Sequence, residues 1–79
     1  MNKVENILID EFKNKRKMAF ICYLRKNNYF YGWFDDKKSE TADSVVISRI
    51  NLNSHQIEQC NVLLAAKKWN IDYKDFIDV

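Results

Sequence analysis

Several residue types are scarce in this chain of 79 residues, and each scarcity excludes a class of structure or site. Two cysteines and one histidine without ligand spacing fall short of a zinc set, and the acidic residues lack the order of a calcium-binding loop. No apolar run approaches the ~20 residues of a membrane-spanning helix. We therefore expect no metal, no cofactor and no membrane association. Proline is absent and glycine occurs once, at Gly32, which makes that position informative.

Catalytic groups are equally scarce. His55 is the single histidine, and its neighbour Ser54 cannot face it as a nucleophile faces its base, because adjacent residues of a helix point apart. We therefore expect no enzyme activity. Cys22 and Cys60 both fall on predicted core positions, where free thiols lying close to one another are expected.

Length and charge indicate one small domain over residues 1–79 with two electrically distinct ends. Six basic residues and no acidic one lie between Phe12 and Phe34, whereas the last ten residues carry three aspartates and one lysine. The amino terminus is charged from its third residue, unlike a signal peptide, so we expect a cytoplasmic protein. A bias toward Asn, Lys, Ile and Asp fits an AT-rich genome, such as that of a phage or a low-GC bacterium, and hence a bacterial or infected host cell.

Hydrophobic spacing predicts one helix followed by three strands. Ile7, Leu8 and Phe12 share a face of a helix over residues 2–14. Residues 18–24 are all apolar or aromatic and residues 29–35 hold five aromatics, so the short asparagine turn between them indicates a β-hairpin. A polar loop then leads to a third strand over residues 45–52.

A second helix has clear starting signals. Asn53 followed by Gln56 matches a capping box, and Leu52 with Ile57 matches the hydrophobic staple that accompanies it. We therefore predict a helix over residues 54–69.

The chain then ends in a short element. Asn70 suits the left-handed position after the helix. Residues 71–79 predict either a short helix capped by Asp72 or a last strand, and we favour the helix because Ile71 and Phe76 resemble a staple. The complete order predicts an α+β fold in two layers, α-β-β-β-α, with a three-stranded antiparallel sheet, two main helices on one face and a short C-terminal helical turn.

The hairpin register decides which side chains share a face, because one residue more or less in the loop exchanges the faces. A two-residue turn at residues 27–28 would mix phenylalanine with tyrosine on each face. A three-residue loop ending in a left-handed Asn28 separates them, and we predict this loop. Gly32 then lies on the phenylalanine face opposite Cys22, where it lets a helix approach; a bulge at Gly32 is the alternative.

The tyrosine face carries the main functional hypothesis. With both helices on the other face, it would form a bare apolar patch larger than a typical monomer exposes. Such a patch indicates a partner, a dimer or the C-terminal segment folded back over it. Interfaces are enriched in such residues, so we predict a non-enzymatic interaction protein that inhibits or regulates a partner protein, for example a phage-encoded modulator of a bacterial host system. The predicted partner-binding residues are Tyr23, Tyr29, Tyr31, Trp33, Arg25, Lys26 and Arg49.

Exposed rings beside basic side chains are also typical of proteins that bind single-stranded nucleic acid, because bases stack on the rings and cations meet the phosphates. An RNA- or single-strand-binding module is therefore the alternative function. Its basic residues would be Arg16, Lys17, Arg25 and Lys26. Homodimerisation through the bare face is compatible with both functions.

The predicted order α-β-β-β-α over residues 2–69 is similar to that of the double-stranded-RNA-binding domain, and residues 63–69, LLAAKKW, look like the end of that family's C-terminal helix. The resemblance implies an α+β fold that binds RNA. Residues 26–28, Lys-Asn-Asn, replace the family's glycine, proline and histidine loop, and residues 53–56 replace its lysine cluster. No RNA-binding residue of the family is therefore carried over to this chain.

Overall fold

The structure, a computed structural model, describes residues 3–16, 19–35 and 45–78. In chain order the elements are α1 (Lys3–Arg16), β1 (Ala19–Lys26), β2 (Tyr29–Asp35), β3 (Val45–Asn51), β4 (Ile57–Asn61), α2 (Val62–Trp69), a 3-10 helix (Tyr73–Asp75) and β5 (Ile77–Asp78). The strands form one antiparallel sheet in the order β4-β3-β2-β1-β5. The α+β class is confirmed, but the expected three-stranded sheet is wrong, because β4 and β5 add a strand at each edge.

α1 packs one stripe of side chains onto the sheet. Ile9 is 4% exposed and Phe12 is fully buried, whereas Ile7 is 57% exposed. The predicted first helix is confirmed, and it ends two residues later than expected. Its buried stripe includes Ile9 rather than Ile7.

β1 and β2 are joined by a two-residue turn at residues 27–28, with Asn27 in the left-handed region at φ 56°. Lys26 pairs with Tyr29 beside the turn. The predicted three-residue loop is therefore wrong. The clean separation of phenylalanine from tyrosine, which was the reason for preferring that loop, is lost with it.

A β-bulge at Ile21 changes the pairing partway along β1. Cys22 pairs with Trp33 in the register of the two-residue turn, but Phe20 pairs with Phe34, so Ile21 is one residue in excess. The bulge returns Phe20 to the same face as Phe34. A bulge at Gly32 of β2 was the predicted alternative, but the bulge lies on β1, at Ile21.

A loop over residues 52–56 replaces the predicted start of the second helix. The side-chain Oδ1 of Asn51 accepts hydrogen bonds from the backbone N–H groups of Asn53 (2.8 Å) and Ser54 (3.0 Å). His55 adopts a left-handed φ of 62°, which no helix interior contains. The predicted capping box is therefore wrong: its asparagine belongs to a turn that Asn51 organises, and β4 follows.

α2 starts eight residues later than predicted, directly after β4. Asn61 is its N-cap, and the side chain of Asn61 accepts a hydrogen bond from Leu63 N at 2.8 Å. The predicted end is confirmed, because Asn70 is left-handed at φ 51°. Asp72 caps the following 3-10 helix, and β5 then pairs Ile77 with β1, so both elements proposed for the C-terminus are present.

The sheet is covered on both faces. Consecutive residues of a strand point to opposite faces of the sheet. One set of alternating β2 side chains therefore packs with α1, and the other set packs with α2. The α1 side buries Ile9, Phe12, Tyr23, Phe30, Phe34 and Ile50. The α2 side buries Leu24, Tyr31, Ile47, Ala65, Trp69 and Ile71. The prediction of two helices on one face is wrong, and the element order also departs from that of the double-stranded-RNA-binding domain.

Gly32 lies beneath α1 in the phenylalanine cluster. A Cβ atom built on it would come within 2.8 Å of Phe12, 2.7 Å of Phe20 and 2.5 Å of Phe34. The predicted role of Gly32 in a close helix approach is confirmed. Its cross-strand partner on β1 is Tyr23, however, and not Cys22 as expected.

Candidate functional site

The aromatic side chains predicted to bind a partner are mostly interior. Tyr31 is 3% exposed and contacts the ring of Trp69 at a centroid distance of 5.9 Å. Tyr23 is 5% exposed on the opposite face, where it stacks on Phe30 at 5.3 Å. Tyr23 and Tyr31 therefore belong to two different cores rather than to one binding surface.

The face predicted to be bare is covered by the C-terminal segment. Trp33 contacts the ring of Tyr73 at 5.1 Å and the ring of Phe76 at 6.0 Å. The hydroxyl of Tyr73 donates a hydrogen bond to the carbonyl of Val62, which ties this segment to the first turn of α2. The prediction of a bare aromatic face is wrong, because residues 62–78 fold back over it.

Arg49 is the cation that the structure does bring onto this face. Its guanidinium carbon lies 4.0 Å from the ring centroid of Tyr29 and 4.7 Å from that of Trp69. Its Nε donates to Glu58 Oε2 at 2.8 Å. Burial lowers the pKa of Arg49, but hydrogen bonds to Tyr31 and Glu58 outweigh burial and raise the pKa above its ordinary value. Arg49 of β3 thus contacts both α2, through Trp69, and β4, through Glu58.

The other predicted basic residues have different surroundings from Arg49. Lys26 Nζ donates to the carbonyl of Asn70 at 2.6 Å, where a cation stabilises the carboxyl end of α2. Arg25 is exposed next to the hairpin turn. Arg16 belongs to α1 but its side chain lies outside the described residues, as does Lys17 entirely.

An open cleft of about 460 Å³ lies beside Lys26. Its wall combines apolar Ala66 and Ile71 with the carboxylates of Asp72 and Asp75. Asp72 already accepts the hydrogen bond that caps the 3-10 helix, and Lys26 is held by α2. Two of the charged groups in the cleft, Lys26 and Asp72, therefore already have partners, and the cleft holds no assembled set of catalytic groups among the described residues.

The most exposed large apolar side chains are adjacent on α2. Leu63 is 79% exposed and Leu64 is 62% exposed, while Ala65 and Trp69 of the same helix are buried. Sequence reasoning placed both leucines inside a long helix and assigned them no role. The sequence alone does not show their exposure, because it depends on where α2 begins and on the burial of Ala65 and Trp69.

The helix geometry shows which way Leu64 points. Ala66 lines the cleft with Ile71 and Tyr73, so that flank of α2 faces the C-terminal segment. Successive helix residues are 100° apart, so Leu64 lies on the opposite flank from Ala66. The helix begins directly after β4, which is an end strand of the described sheet, so this flank of α2 is the one toward the outer edge of β4.

Lysines accompany the two leucines. Lys68 lies one turn after Leu64 on the same flank, and Lys67 lies beside it in the last turn of α2. Both lysines are exposed. We define the α2 outer surface as Leu63, Leu64, Lys67 and Lys68; it is apolar at one end and positive at the other.

Among residues 3–16, 19–35 and 45–78, no group of three or more His, Cys, Asp or Glu side chains is arranged to hold a metal ion. The helices within these ranges are too short or too polar to cross a bilayer. Both cysteines are free thiols, and Trp33 and Ile47 separate them in one row across four strands, about 14 Å apart at the usual strand spacing. The expectation that the two thiols lie close together is therefore wrong.

No family model, curated protein or solved structure matches this chain.

Proposed function

We propose that this chain is a small non-enzymatic interaction protein that binds a partner protein through the α2 outer surface and thereby inhibits or regulates it. The observation that carries the proposal is the exposure of Leu63 and Leu64, 79% and 62%, on a helix whose other apolar residues are packed. Contiguous exposed apolar residues with a polar rim mark interaction sites, whereas single exposed apolar residues are normal on a surface.

The energy available at this surface is sufficient for specific binding. Complete burial of a leucine side chain stabilises a complex by about 1.5–3 kcal/mol, so two leucines change a dissociation constant by two orders of magnitude or more. Lys67 and Lys68 beside them favour a partner with acidic groups at the rim of its apolar site.

The setting of this function rests on composition. The bias toward Asn, Lys, Ile and Asp supports a phage-encoded modulator that acts in the cytoplasm of a bacterial host. Small size suits such a role, because a protein that acts by occupying a surface needs a scaffold and one patch.

Affinity capture from the host cell tests the proposal. The tagged protein is expected to retain one partner protein, with and without nuclease, and the double substitution Leu63→Ser with Leu64→Ser should abolish retention. Surface substitutions of this kind leave stability within about 0.5 kcal/mol. Ile7→Ser is the matched control, because Ile7 is 57% exposed on the opposite face of the sheet.

Equal loss in the Ile7 variant, or undiminished capture by the double variant, would refute binding through the α2 outer surface. Loss of the captured material on nuclease treatment would instead support the nucleic-acid alternative. That alternative keeps exposed Arg25, but Tyr23 and Tyr31, two of the rings proposed to stack on bases, are buried.

A further inference from the structure

The outer edge of β4 carries an array of backbone groups directed away from the sheet. The carbonyl of Gln56 accepts a hydrogen bond of 2.9 Å from the end of β3, so Gln56 turns its peptide groups toward β3. Peptide groups alternate in direction along an antiparallel strand, so Glu58 and Cys60 also bond to β3. Ile57 and Gln59 consequently direct their N–H and C=O groups outward. In the described sheet β4 is an end strand, and these groups face beyond it.

This edge has few of the devices by which proteins usually prevent strand addition, which are short length, charged side chains, proline, a bulge or a covering element. β4, with the sequence IEQCN, has no lysine, proline or bulge, and its pairing with β3 is regular from Ile57 to Asn61. Its one charged side chain, Glu58, is paired with Arg49. The opposite edge differs, because β1 is bulged at Ile21 and partly covered by β5. Among the residues that the structure describes, the two edges of the sheet are therefore unequal, and no strand pairs with the outer edge of β4.

The α2 outer surface lies next to the same edge, on the α2 face of the sheet. Leu64 and Lys68 lie on the flank of α2 toward the outer edge of β4, and Asn61 joins the strand to the helix without a loop. A strand added to β4 would have every second side chain on the α2 side, because side chains alternate between faces. Those side chains would meet Leu64 and Lys68.

The charges on this flank select the occupant. Within α2 the charged residues are Lys67 and Lys68, and the single acidic residue of β4, Glu58, is bonded to Arg49. A second copy of the chain would bring two more lysines to two lysines, which is unfavourable. A strand that carries aspartate or glutamate beside an apolar residue would complement both groups.

We propose that the partner binds as an extended strand added to the outer edge of β4, with an apolar side chain against Leu64 and an acidic side chain against Lys68. This inference rests on the proposed function and specifies its binding mode. Main-chain hydrogen bonds from Ile57 and Gln59 supply affinity, and the α2 outer surface supplies specificity.

The experiment uses short synthetic peptides with the repeat Val-Thr-Glu-Thr, which places valine and glutamate on the same face of a strand, titrated into the isotope-labelled protein at low salt. The expected result is saturable shifts of the amide signals of Ile57, Gln59 and Leu64, with a dissociation constant below about 1 mM. Peptides with alternate backbone amides methylated, or with lysine in place of glutamate, should bind at least about tenfold more weakly. Equal binding of the methylated peptide, shifts confined to other elements, or no saturation would overturn the proposal.

Substitution of Gln59 tests the same edge from the protein side. Gln59→Pro removes an outward N–H and leaves the bonds to β3 intact, so it should abolish peptide binding, whereas Gln59→Ala should preserve it. If Gln59→Pro does not fold, the methylated peptide still decides the outcome. A concentration-dependent dimer that Gln59→Pro disrupts would overturn the proposal in favour of a second copy.

Partner capture separates the two proposals. Retention lost with Leu63→Ser and Leu64→Ser but kept with Gln59→Pro would leave the proposed function standing and overturn strand addition. Retention unaffected by either change would overturn the proposed function as well. Retention lost with both changes, while Gln59→Ala and Ile7→Ser retain the partner, is the result that supports the strand.

Discussion

Arg49 of β3 lies over the indole ring of Trp69, with its guanidinium carbon 4.7 Å from the ring centroid. Together with the ring of Tyr29 at 4.0 Å, this contact joins α2 to the sheet. A planar guanidinium stacks on an aromatic ring, whereas the ammonium of lysine is a point charge. Stacking of the guanidinium on these rings, and not its charge alone, therefore holds α2 against the sheet.

Arg49→Lys should destabilise the protein by about 1 kcal/mol, because lysine keeps the charge beside Glu58 but loses the stacking on both rings. Urea denaturation followed by tryptophan fluorescence measures the change. Glu58→Gln is the companion variant that removes the ion pair and leaves the stacking. A larger loss in Glu58→Gln than in Arg49→Lys would show that the ion pair, and not the stacking, is the main contact.

Gly32→Ala should destabilise the protein by about 1–3 kcal/mol through overpacking. The added methyl group would lie within 2.8 Å of three phenylalanine rings that are themselves closely packed. Gly32 has no positive φ, so backbone strain is not involved. Adding Phe12→Leu to Gly32→Ala should recover part of the loss, and denaturation of the single and double variants checks this. A Gly32→Ala protein as stable as the wild type would contradict the role of Gly32 in helix approach.

Ser48→Ala should leave stability unchanged or raise it by about 1 kcal/mol. Ser48 is fully buried next to Gly32, and its hydroxyl oxygen has no hydrogen-bond partner among the described residues. A buried hydroxyl without a partner costs about 1–3 kcal/mol, which alanine avoids. Ser54→Ala is the contrasting variant, since the exposed Ser54 hydroxyl accepts a hydrogen bond from Gln56 N at 3.3 Å. A marked loss of thermal stability in Ser48→Ala would contradict this prediction.

Cys22 should react slowly with thiol reagents at neutral pH. Burial raises the pKa of its thiol, and the carboxylate of Asp78 across β5 raises it further. A thiol whose folded-state pKa is raised contributes stability that is complete below the unfolded-state pKa and lost as pH rises through the folded-state value. Alkylation of a Cys60→Ser variant from neutral to alkaline pH measures Cys22 alone. Asp78→Asn should shift the alkylation profile to lower pH, and an unchanged profile would contradict the contribution of Asp78.

The sequence predicts correctly those elements that are stabilised by interactions between residues close together in the chain. α1, the strands around the asparagine turn, the left-handed Asn70 and the cap at Asp72 all depend on contacts within a few residues. Gly32 was also placed correctly under a helix, because a strand glycine without a turn nearby indicates close approach.

The failures came from choices between equally good local patterns. Asn53 and Asn61 are both suitable helix caps, and the turn organised by Asn51 decides between them. Residues 57–61 have no strong preference for either structure, so pairing with β3 determines that they form a strand.

The face assignment failed for a different reason. Between Phe20 and Cys22 no glycine or asparagine indicates a bulge, so strict alternation was the natural assumption. The exposed leucines were missed because they were placed in a longer helix, where they would have faced the sheet.

The bulge also determines which changes of chain length the protein tolerates. Ile21 is the one residue by which β1 exceeds β2 along their common ladder, and its side chain is 44% exposed. Without Ile21 the ladder would be regular, with Phe20 still opposite Phe34 and Cys22 still opposite Trp33, so both side chains would keep their faces. Deleting a residue between Cys22 and the turn would instead exchange the faces of the rest of β1. Ile21 is thus the position of β1 at which the loss of one residue should be tolerated best.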